Sequence, residues 1–93
     1  AITAQPESYA LFQNYPNPFN PATVIGYRLP VSGPVRITVH DMLGREIATL
    51  TDEYKPAGKH EIEFDATAFS SGVYIYRLQA GEYVESRKML YLK

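Results

Sequence analysis

The seven residues Tyr15-Pro16-Asn17-Pro18-Phe19-Asn20-Pro21 constrain what this chain can fold into more than any other stretch. Their prolines fix φ and withdraw backbone donors, which excludes both a helix and a central strand over the segment. Each residue ahead of a proline is pushed toward extended backbone, and Asn17 and Asn20 can start turns by bonding their own backbone. A stiff, extended segment is expected, holding the rings of Tyr15 and Phe19 at a set spacing. It stands just before the first clear strand pattern, as the rigid entry to a small β domain.

Period-two alternation governs the rest. Tyr9 to Gln13 is expected as a short edge strand, and Ala1 to Ser8 as the remnant of a linker, leaving one domain over residues 9–93. Thr23 to Leu29 reads as a strand with Ile25, Tyr27 and Leu29 on one face, ended by Pro30. Val35 to Asp41 alternates most cleanly, with Val35, Ile37 and Val39 inward and Arg36, Thr38 and His40 outward. A tight turn follows at Met42 to Arg45, with Gly44 its natural φ > 0 residue. Glu46 to Leu50 returns as a short strand, and Thr51 to Lys59 is expected as a longer loop. His60 to Asp65 alternates again, burying Ile62 and Phe64. Ala66 to Ser71 is expected to take one helical turn that Gly72 breaks. Gly72 to Leu78 is apolar on both faces, as suits a central strand. Gly81 turns the chain into a last strand from Tyr83 to Leu92. About seven short strands with turn signals every ~8–12 residues predict an all-β, immunoglobulin-like, two-sheet antiparallel sandwich. Within it, Tyr74 has the placing of a tyrosine corner, a buried phenol that returns its hydroxyl to upstream backbone. Tyr76 then takes the position where antibody domains keep a cysteine.

Composition narrows the function classes. The chain has 93 residues, no cysteine, and nine basic against ten acidic side chains, so thiol chemistry is out and no basic footprint for nucleic acid exists. No apolar run approaches the ~20 residues of a membrane span, and no export signal opens the chain. Catalytic groupings are missing too. His40 and His60 lack Asp or Ser neighbours at triad spacing. Glu61 and Glu63 share a face, but it is the face opposite Ile62 and Phe64, in water, where nothing raises a carboxyl pKa. Asp41, Asp52, Glu53 and Asp65 lie in or beside turns and could offer oxygens to calcium, yet no contiguous acidic loop and no zinc spacing occurs. The expectation is no catalytic residue, no metal and no cofactor.

Four features stand in order: Tyr15-Pro-Asn-Pro-Phe19-Asn-Pro21, Asp41-Met-Leu-Gly-Arg45, Ser71-Gly-Val-Tyr-Ile-Tyr-Arg-Leu78, and Arg87-Lys88-Met89-Leu90-Tyr91-Leu92-Lys93. Together they resemble the type A C-terminal sorting domain of the bacterial type IX secretion system. They are also similar to the immunoglobulin-like module of flagellar hook-capping proteins. The resemblance runs from about Tyr9 to Lys93, with the stop at Lys93 part of the match. It implies a non-catalytic signal at the end of a larger exported protein, often a polymer-degrading hydrolase, delivered to the cell surface through periplasm and outer membrane. An outer-membrane translocon would read the domain, and a sortase-like peptidase would remove it in many cases. Gly72 and Tyr74 match the family's Gly-x-Tyr motif, Tyr15 to Pro21 its opening motif, and Arg87 to Lys93 its terminal basic-apolar motif.

The physics of a terminal strand fits such a role. An edge strand offers unpaired backbone to a receptor strand or to a second copy of the domain, with alternate side chains supplying selectivity. Met89 to Leu92 is expected first as core, with Lys88 and Lys93 as solubilising flanks. Two other classes compete. A carbohydrate-binding module fused to a hydrolase would stack sugar rings on Tyr54, Tyr83 and Tyr91. A structural spacer would dock or self-associate without using the free carboxyl end.

Overall fold

The computed structural model describes residues 8–93. The linker expected over Ala1 to Ser8 lies outside them except for Ser8. Seven strands follow in order: β1 (Ala10–Leu11), β2 (Ala22–Leu29), β3 (Gly33–His40), β4 (Glu46–Lys55), β5 (Gly58–Asp65), β6 (Gly72–Ala80) and β7 (Tyr83–Tyr91). They form two antiparallel sheets, β1-β2-β5 and β4-β3-β6-β7, and no helix occurs among the described residues. This is the expected immunoglobulin-like sandwich. Unlike a constant-type immunoglobulin domain, its fourth strand stays beside the third instead of joining the sheet of the first, second and fifth strands.

Alternation places the core. In β2, Ile25, Tyr27 and Leu29 are each at most 3% exposed. They face Val35, Ile37 and Val39 of β3 and Tyr76 and Leu78 of β6 across the sandwich. Each such side chain contributes about 1.5–3 kcal/mol by leaving water. Thr38, expected outward, is instead buried. β3 is an inner strand, so β4 and β6 flank Thr38 on both sides, with Thr49 and Arg77 opposite it. Its hydroxyl is satisfied by His40 Nε2 at 2.9 Å.

Three local expectations need correction. The loop expected over Thr51 to Lys59 is strand on both sides of a two-residue connection, Pro56 and Ala57. Polar residues 51–55 continue β4 because Gly33 to Ile37 supply a ladder for them, a pairing that period-two apolarity cannot mark. The stretch 66–71 is a turn without helix: Phe69 N–H bonds Ala66 O at 2.9 Å, and Asp65 Oδ1 accepts Thr67 N–H at 2.9 Å. The first strand is shorter than Tyr9 to Gln13, only Ala10 and Leu11 pairing with Arg28 and Tyr27.

Candidate functional site

β7 pairs along its length with β6, from Ala80↔Tyr83 to Gly72↔Tyr91, with no register shift. Alternation therefore divides the terminal motif into two groups. Met89 and Tyr91 point inward and are 1% and 2% exposed. Arg87 also lies on the inward side, where its Nε donates to Leu11 O at 2.6 Å and its guanidinium lies 3.7 Å from Glu85. Lys88 and Leu92 are exposed and Leu90 is half-buried, on the opposite side; Lys93, just past the strand, is exposed too, with its Nζ 6.0 Å from the centre of the Tyr91 ring.

The free edge expected for this strand is largely covered. Phe19 N–H donates to Leu90 O at 3.0 Å, and Leu92 N–H donates to Phe19 O at 3.1 Å, a parallel bridge to Tyr91. Asn17 Oδ1 accepts Leu90 N–H at 3.0 Å, and Gln13 Nε2 reaches Lys88 O at 2.8 Å. The proline segment, excluded from a central strand by its missing donors, thus serves as a partial strand on the rim of β7. Phe19 fastens it, buried and stacked on Tyr91 at 5.2 Å between ring centroids. Tyr15, the other ring, is 80% exposed, so the two aromatics do different things. Upstream on β7, the same parity turns the backbone of Val84 and Ser86 toward the rim, and no bond from the proline segment reaches them.

Sequence reasoning missed a polar knot that shapes this strap. Asn14 and Thr23 are both buried. Asn14 Nδ2 donates to Thr23 Oγ1 at 3.0 Å and to Pro16 O at 3.1 Å, while the Thr23 hydroxyl donates to Pro16 O at 2.8 Å. Pro16 O is thereby satisfied inside a turn that Pro16, Pro18 and Pro21 leave poor in donors. The available signal was Asn14 beside the proline run and Thr23 on the inward parity of β2.

The other motif residues sit where turns and corners need them. Gly44 has φ 86° in the β3–β4 turn, a conformation that side chains disfavour. Asp41 closes this turn: its Oδ1 accepts the amides of Leu43 and Arg45 at 2.9 and 3.0 Å, and its Oδ2 meets Arg45 Nε at 2.8 Å. The Arg45 amide is the largest influence holding the Asp41 carboxyl below its ordinary 3.8. Gly72 opens β6 at φ 155°. Tyr74 donates its hydroxyl to Ser70 O at 2.6 Å, the corner geometry, and Tyr76 donates to Phe12 O at 2.7 Å. Burial pushes the Tyr76 phenol up to about 12.

Reactive groupings do not form around these residues. His60 stacks on Tyr27 and contacts Pro56 O, and Glu61 and Glu63 are exposed on β5. Among the described residues, no three His, Asp or Glu side chains converge in a way that could hold a metal. Asp41, Glu53 and Asp65 are taken up by Arg45, Lys55 and Thr67, and Asp52 lies 3.8 Å from Arg36. The tyrosines weighed as a sugar platform are dispersed: Tyr91 is core, Tyr83 stacks on Tyr9 at 4.8 Å, and Tyr54 stands exposed on β4.

The described residues thus form a β-sandwich whose polar groups fasten its own strands and whose terminal strand keeps Lys88 and Leu92 exposed. A family model described as the secretion system C-terminal sorting domain matches residues 13–92, and the chain belongs to that family. It is thus a sorting signal of the type IX secretion system, carried by an upstream passenger and handled by the secretion machinery for export to the surface or the medium. Comparison with curated proteins gave no match. No helix among the described residues is long and apolar enough to cross a membrane.

Proposed function

We propose that an outer-membrane translocon reads the solvent side of the terminal strand, at Lys88, Leu90, Leu92 and Lys93, while Arg87, Met89 and Tyr91 hold that strand in register. The observation that carries this reading is the split itself. The inward residues are tied into the core or to Leu11 O, whereas Leu92 is 48% exposed with lysines on either side of the run. Side-chain reading suits a strand whose rim is already covered by Gln13, Asn17 and Phe19, since strand addition over Lys88 to Leu92 would first have to displace them. The segment Tyr15 to Pro21, with Gly44, Gly72 and Tyr74, is structural in this account. The passenger is an exported protein of the polymer-degrading hydrolase kind, crossing the periplasm, and a sortase-like peptidase separates it from the domain at the surface.

Deleting Lys88 to Lys93 would remove Met89 and Tyr91 from the core and confound unfolding with lost recognition. The discriminating variant is Lys88→Glu, Leu92→Ser and Lys93→Glu in the full-length protein, expressed in its own cells. Its melting temperature is expected to stay within a few degrees, because exposed substitutions change stability by about 0.5 kcal/mol or less. The passenger is expected to accumulate in the periplasm with its own activity intact. Normal surface delivery would reject the reading.

A further inference from the structure

The sheet register brings a second exposed apolar group to the same end of the molecule as the terminal strand. His40, the last residue of β3, pairs with Ile75, and Ile75 pairs with Lys88. Continuing along that end, the β3–β4 turn stands in line with Val73 and Leu90, which face each other across β6 and β7. At the tip of the turn Met42 is 58% and Leu43 is 79% exposed. Single exposed apolar residues are ordinary on a protein surface, but here two adjacent ones share an end of the sheet with Leu90 and Leu92, with one strand, β6, between β3 and β7.

Folding does not require apolar side chains at these two positions. The turn is fixed by Asp41 and Gly44: Gly44 N–H bonds Asp41 O, Asp41 N–H bonds Arg45 O, and the Asp41 carboxylate takes the Leu43 and Arg45 amides. Only the main chain of Leu43 takes part. The bonds hold the tip in one conformation, so a partner meeting it would lose little entropy in ordering it. Lys88 and Lys93 form no ion pair among the described residues, and the register puts Lys88 at this same end of the sheet, two strands from the turn, whereas Arg45 is paired with Asp41.

We propose that Met42 and Leu43 are the second half of the export recognition surface. With Leu90 and Leu92 they seat on one protein of the secretion machinery, through an apolar patch rimmed by acidic side chains that meet Lys88 and Lys93. This rests on the terminal-strand reading above and extends it to a segment more than forty residues earlier in the chain. Apolar centres with charged rims are the ordinary build of a specific protein interface.

The test compares Met42→Ser with Leu43→Ser, made together in the full-length protein, against the terminal-strand variant already described. Surface yield of the double serine variant is expected to fall about tenfold, as for loss of roughly 1.4 kcal/mol of binding, while the melting curve is unchanged. The swap Met42→Leu with Leu43→Met, which keeps the apolar tip, is expected to export normally. Normal export of the serine variant, alongside failure of the terminal-strand variant, overturns this proposal and leaves the terminal-strand reading standing. Normal export of both overturns both. Should the serine variant melt low, photo-crosslinking decides. A crosslinker at Leu43 is expected to capture the same secretion protein as one at Leu92, and one at Val31, at the opposite end of the sheet, is not. No shared capture overturns the proposal.

Discussion

Phe19→Ala provides the sharpest test of how the terminal strand is held. Phe19 is 2% exposed, stacks on Tyr91 at 5.2 Å and meets Phe64 edge-on at 6.2 Å. Truncating a buried Phe costs about 3–5 kcal/mol through lost transfer energy and an unfilled cavity. The two ring pairs lie within this figure, since each is worth only about 0.5–1.5 kcal/mol beyond its buried area. A domain of this size loses roughly 4–8 °C of melting temperature per kcal/mol, so a fall of about 20 °C is expected by calorimetry. The effect should also be local: with the strap loosened, the Leu90 and Leu92 amides, bonded to Asn17 Oδ1 and Phe19 O, should exchange hydrogen faster than the amides of β3. Tyr15→Ala, in the same segment but 80% exposed, should change stability by about 0.5 kcal/mol or less. A shift under about 5 °C for Phe19→Ala, or equal shifts for the two variants, would refute the claim that one ring fastens the strap.

Tyr74→Phe removes the bond to Ser70 O at 2.6 Å and should lower stability by about 1 kcal/mol in a urea titration, with no change in slope. A Cβ placed on Gly72 meets no atom within 4 Å, so for Gly72→Ala the expected loss of about 1–3 kcal/mol comes from the backbone at φ 155°, and Gly72→Val should lose at least as much. For Asp41, the folded carboxyl titrates below its unfolded value of 3.8, so the stabilisation is present above that pH and is lost as pH falls through the lower folded value. An NMR titration should find its midpoint below 3.8, and Asp41→Asn should flatten the acid limb of the stability curve.

The apolar alternation of β2, β3 and β6 was legible because each buries one face against the other sheet, and a one-residue slip would expose the whole set. The polar half of β4 was not legible. Thr51, Asp52, Glu53, Tyr54 and Lys55 belong to a strand only because β3 lies alongside. The terminal motif was read as core over the whole of Met89 to Leu92, with Tyr91 also weighed as an exposed platform, whereas only Met89 and Tyr91 are buried. What sequence could not show was the partner of the rim. Asn17 and Phe19 meet Leu90 and Leu92 across more than seventy residues, and no local pattern records a contact of that range. Thr38 is hidden from such reasoning for a related reason, since its burial comes from neighbours on both flanks.

The bond from Arg87 to Leu11 O joins residues 76 apart in the sequence, and the strap adds several more of similar reach. Sandwiches closed by such distant pairings assemble over about milliseconds to seconds, more slowly than the local hairpins they contain. Until those pairings form, Met89, Tyr91 and the rim of β7 lack the neighbours that hold them in the folded domain.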